Sequence, residues 1–83
     1  MGWQTREHWR NGHHQVWLME MHDVFSSGWR VAQSWPTRHG ESFTSGRYEQ
    51  PPDRDRHAAR EVVARKKLAE RMAEVEGDWE QVT

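Results

Sequence analysis

Gln15-Val16-Trp17-Leu18-Met19-Glu20-Met21-His22 is apolar from Val16 to Met19 and then alternates. A two-residue period places Trp17, Met19 and Met21 on one face of a strand and Val16, Leu18 and Glu20 on the other. Immediately upstream, Asn11-Gly12 is the pair that type I′ hairpin turns prefer, because both central positions need positive φ. The turn predicts a partner strand over Trp3–Arg10, where Trp3, Thr5, Glu7 and Trp9 share one side.

Downstream, Ser26-Ser27-Gly28 is a turn signal. Trp29–Trp35 then alternates, with Trp29, Val31 and Trp35 on one face and Arg30, Ala32 and Ser34 on the other. Pro36 ends this strand or marks an edge position, since it brings no N–H to a ladder. Thr37–Glu41 reads as a loop and Ser42–Tyr48 as a last strand. A bulge at Gly46 would bring Phe43 and Tyr48 to one side.

Beyond Pro51-Pro52 the pattern changes. Asp53 suits an N-cap, and Asp55 lies where a helix dipole favours negative charge. Strong helix formers then run to Glu76, before Gly77 as a stop. Glu61/Arg65 and Lys66/Glu70 are spaced as i,i+4 pairs, and Lys67/Glu70 and Arg71/Glu74 as i,i+3 pairs. Ala58, Ala59, Val62 and Val63 define the apolar face of the first half. Leu68, Met72, Val75 and Trp79 define a stripe in the second half that is rotated away from the first. That later stripe either laps over the sheet or forms a seam for a partner or a second copy, the former being favoured because a coiled coil needs ~3–4 heptads. The expected architecture is α+β: one small domain over 1–83, with three or four antiparallel strands within 3–48 packed against one C-terminal helix over about 53–76.

Composition narrows the functions. Leu18 and Leu68 are the only leucines and there is no isoleucine, so tryptophan, of which there are six, must supply much of the core. Each buried aromatic ring covers roughly 150–250 Å². Six rings exceed what so small a core can take, which leaves one or two for a neighbouring element or a partner. The absence of cysteine excludes disulfides and thiolate zinc sites. No apolar run approaches the ~20 residues of a membrane span. The first residues show neither a secretory leader nor, with Arg6 where Ser or Thr is wanted, a myristoylation motif. A cytoplasmic protein is expected. Formal net charge is −1, and six histidines would carry it to +5 if all were protonated.

Candidate chemistry is sparse. Glu20 and His22 share a strand face and could join a loop histidine around zinc, but His13 and His14 are adjacent and point apart, so no metal or other cofactor is expected. Glu41, Arg47 and His57 have the residue types of a phosphodiester-cleaving set, with nothing in their spacing to support it, and no enzyme activity is expected. Trp17-Leu18-Met19-Glu20, a turn, Trp29–Trp35, a glycine-containing loop and a helix resemble the WGR domains of DNA-associated proteins over residues 15–79. Pro36-Thr37 stands where that family has Gly-Arg after its Trp, so neither a residue role nor a function is carried over.

The expected function is a small non-enzymatic protein-binding module. A regulator or inhibitor of the kind encoded by mobile elements or phage fits its brevity. Its surface would comprise Trp3 and Trp9 with Leu68, Met72 and Trp79, Trp being enriched at binding hot spots, and the late helix leaves a homodimer open as an option. The alternative is a nucleic-acid-binding module that uses Arg30, Trp35, Arg38 and Arg47 on or beside the sheet.

Overall fold

A computed structural model describes residues 2–22, 27–37, 40–47 and 54–82, without the side chains of 37, 40–47 and 54–56. Strands β1 (Gln4–Asn11), β2 (His14–His22), β3 (Ser27–Thr37) and β4 (Gly40–Arg47) form an antiparallel meander. Helix α1 (Arg54–Ala73) follows, and a two-residue strand β5 (Glu80–Gln81) returns to pair with β1. The sheet order is β4-β3-β2-β1-β5. The α+β architecture is the one expected; the fifth strand is an addition.

Helix α1 covers one face. Val16 and Leu18 of β2, Trp29 and Val31 of β3, and Ala64 and Leu68 of α1 form the core, with Trp9, Trp35, Met72 and Trp79 packed against it. The alternation in β2 and β3 thus has the faces expected, and Trp29 is 3% exposed. Pro36 lies inside β3, opposite Glu41 of β4. On the other side β3 pairs with β2 only as far as Ser34↔Gln15, so the missing proline N–H breaks no bond to β2.

Four local expectations are corrected. The first concerns the parity of β1. Thr5 pairs with Met19 but Glu7 with Leu18, so Arg6 is an extra residue in a bulge. Glu7 and Trp9 therefore lie under the helix while Thr5 lies on the opposite face. Second, pairing is unbroken through Gly46↔Val31, so β4 has no bulge there, and Tyr48 falls outside the described residues.

Third, Asn11 pairs with His14, which makes Gly12 and His13 the two turn residues. Gly12 has φ +62°, and no described non-glycine residue has positive φ. That matches a type II′ turn, with glycine at the first central position. The Asn11 side chain instead reaches the segment that follows the helix, where its Nδ2 donates to the carbonyl of Glu76 at 3.1 Å.

Fourth, α1 ends at Ala73 and its buried face differs from the apolar pattern. His57, Arg60, Ala64 and Leu68 are buried and Met72 half-buried, a continuous stripe along one side. Ala58 and Ala59 are exposed, as are Val62 (69%) and Val63 (46%). Past the helix, Glu74 and Val75 donate to the carbonyls of Arg71 and Met72 in a tightened last turn. Trp79 Nε1 donates to the Met72 carbonyl at 2.9 Å, satisfying one of the orphan acceptors of the helix end. Gly77, at φ +108°, makes the bend that allows this return. The tail closes on β1 through a 2.7 Å bond from Val82 N to the His8 carbonyl. Asp53 lies outside the described residues. On the surface of α1, the Glu61–Arg65, Lys67–Glu70 and Arg71–Glu74 pairs form as the spacing suggests.

Candidate functional site

With α1 on one face of the sheet, no described element covers the other. By strand parity the open face carries Trp3, Thr5, His8 and Arg10 from β1 and its approach. It carries Gln15, Trp17, Met19 and Met21 from β2, and Arg30 and Pro36 from β3, with Ala32 and Ser34 between them buried. His8 and Trp17 are direct cross-strand partners and their rings stack at 4.8 Å and 17°. Gln15 lies 2.8 Å from His8 Nε2, which fixes the imidazole against the indole. The Arg30 guanidinium lies 5.8 Å from the Trp3 ring centroid, within cation–π range. The register partner of Arg30 on β4 is Arg47.

Charge is unequally divided between the faces. Arg10 and Arg30 lie on the open face of β1–β3, to which those three strands bring no carboxylate; Glu80 of β5 lies 3.7 Å from Arg10, and Glu41 of β4 is the register partner of Pro36. The strand carboxylates of β1 and β2 are on the helix side and engaged there. Glu7 accepts from Trp9 Nε1 at 3.0 Å and from Arg65. Glu20 accepts from Arg6 Nε at 2.7 Å and lies 2.6 Å from His57 Nε2.

Burial alone would push the Glu7 carboxyl up, but hydrogen bonds from Trp9 and Arg65 and the Arg65 charge outweigh it and hold the group below the usual carboxylate range. Glu20 is held down in the same way, against burial, by His57 and Arg6. A carboxyl depressed by folding contributes stability that is present above the unfolded value near ~4.3 and lost as pH falls through the folded value. Glu7→Gln is therefore expected to cost about 1 kcal/mol at pH 7, a modest figure because Arg65 is half exposed, and to reduce the loss of stability between about pH 5 and 3. Urea midpoints across that range check it; identical acid slopes in both proteins would contradict the assignment.

The residues expected at a protein-binding surface are separated by the fold. Leu68 is buried in the core, and Trp9, Met72 and Trp79 pack against it, so the late-helix seam faces the chain's own sheet. Only Trp3 lies on the open face. Of the nucleic-acid set, Arg30 is on that face with Arg47 beside it in register. Trp35 is on the helix side, 6.4 Å from Trp79, and Arg38 lies outside the described residues. Of the cleavage set, His57 is buried between α1 and the sheet, while the side chains of Glu41 and Arg47 lie outside the described ones.

The sequence grouped Trp17, Met19 and Met21 correctly but did not show that the helix would cover the opposite face. His57 escaped notice as a structural residue because its partners come from other elements. Among the described residues no group of three or more His, Asp or Glu is placed to hold a metal ion, and no described helix is long and apolar enough to cross a membrane. Comparison with protein-family models, curated proteins and solved structures finds no match to this chain.

Proposed function

We propose that the protein acts by binding and not by catalysis, and that the open sheet face is a nucleic-acid interface. The observation that carries this reading is the division of charge: the open face of β1–β3 combines Arg10 and Arg30 with aromatic rings and no carboxylate, while Glu7 and Glu20 are engaged beneath the helix. Arginines give phosphate contacts and cation–π contacts at once, and aromatics interleaved with them suit bases. The near-neutral net charge does not oppose this, because affinity depends on the local field at the contact surface.

Met19 and Met21 beside Trp17 favour a second reading, a partner protein on the same face, since soft thioether chains and tryptophan are enriched at adaptable protein contacts. Fluorescence anisotropy with labelled single- and double-stranded oligonucleotides at low salt tests the first. Two or three phosphate contacts give a log K against log salt slope of about −2 to −3, and Arg30→Ala is expected to remove about one unit of it. Absence of binding at low salt would overturn the nucleic-acid reading. A partner retained from lysate through nuclease treatment, and lost in Trp17→Ala, would put the protein reading in its place.

A further inference from the structure

We propose that His22, His57 and Glu20 form a proton-operated latch that holds the first turns of α1 on the sheet, closed while the two imidazoles carry at most one proton and released when both are charged. His57 is in the first turn of α1 and is buried, 9% exposed. Its Nε2 meets Glu20 Oε2 at 2.6 Å, its ring stacks on His22 at 4.7 Å and 21°, and it lies 5.3 Å from the Trp29 ring. The indole Nε1 of Trp29 donates to the His57 carbonyl at 3.1 Å. This one residue therefore joins the start of the helix to β2 and β3.

Among the described side chains, the charges around His57 are those of Arg6 on β1, Glu20 and exposed His22 on β2, and buried Arg60 one turn on in α1. The β3 groups facing it, Trp29 and Ser27, carry no charge. With both imidazoles neutral, the Glu20 carboxylate is balanced by Arg6. One proton on His57 turns its contact with Glu20 into an ion pair. A second, on His22, sets two like charges face to face across the stack, with Arg6 competing for the same carboxylate and the positive end of the helix dipole adding to the repulsion. The unfolded chain takes up both protons without that cost, so folded stability falls as the second proton binds.

Removing the exposed partner should abolish the switch and leave the fold. His22→Gln keeps a flat polar group of similar reach. Folding constants from urea titrations at pH 7.5 and 5.5 are expected to show the ratio of His22→Gln to wild type rising about tenfold, the equivalent of one unit of differential proton affinity. Amide exchange, corrected for its intrinsic pH dependence, should quicken at residues 57–60 in wild type at pH 5.5 while residues 68–72 remain protected, and should not quicken in the variant. A ratio constant within about twofold, or exchange that quickens equally along the whole helix, would overturn the proposal.

Discussion

Trp29→Ala is expected to leave the protein largely unfolded at room temperature. The indole is the largest side chain of a core otherwise made of Val16, Leu18, Val31, Ala64 and Leu68, and it is 3% exposed. Truncating a buried aromatic to alanine costs ~3–5 kcal/mol through lost transfer energy and the cavity left behind. The same change removes the donor to the His57 carbonyl, leaving a buried acceptor without its partner. Against a total stability of roughly 4–12 kcal/mol for a chain of this length, little remains. Far-ultraviolet circular dichroism in a urea titration measures this directly. A midpoint displaced by no more than a surface substitution would mean that Trp29 is not the keystone of the core. Trp29→Phe restores part of the volume but not the donor, and should fall between the two.

Trp79→Ala is expected to cost about 2–4 kcal/mol, from a half-buried ring and one hydrogen bond, a large effect for a residue beyond the helix. Trp79 packs against the core beside Met72, its ring centroid lies 6.4 Å from that of Trp35, and its Nε1 occupies the Met72 carbonyl. Losing it frees the helix end and the strand β5 that follows. Trp79→Phe keeps an aromatic ring of smaller size and loses the bond, so its cost should fall below that of Trp79→Ala. Should Trp79→Ala instead keep the wild-type midpoint, the ring would be surplus to the fold and its place as a partner-facing residue would have to be restored.

The parts of this fold that could be read from sequence are those set by local period. Val16/Leu18 against Trp17/Met19 in β2, Trp29/Val31/Trp35 in β3, and the run of helix formers after Pro52 each declare themselves within a few residues. What escaped reading depends on partners far along the chain. The buried face of α1 opens with His57 and Arg60, residues an apolar template passes over in favour of Ala58, Ala59, Val62 and Val63. His57 is tolerated inside because Glu20, 37 positions away, offers a carboxylate. Asn11 has the character of a turn residue but serves the Glu76 carbonyl, 65 positions on. The β2 and β3 parts of the open face were legible as sets of residues and illegible as a surface, because alternation says which side chains travel together and not which side the helix will choose; the β1 part was hidden by the bulge at Arg6.

The extra residue in β1 has a consequence for how this chain can vary. Because Arg6 is accommodated as a bulge, Trp3 and Thr5 belong to the open face while Glu7 and Trp9 belong to the core side. Deleting that single codon would turn the bulge into a regular ladder and leave both faces as they are, with Trp3 and Thr5 still on the opposite face from Glu7 and Trp9; only the Arg6 contact to Glu20 would be lost. Pairing the strand at its present length without the bulge is what would carry Trp3 and Thr5 beneath the helix and end the partnership of Trp3 with Arg30. Arg6 is thus the one position in this strand where a residue can be dropped without exchanging the inside of the protein for its outside.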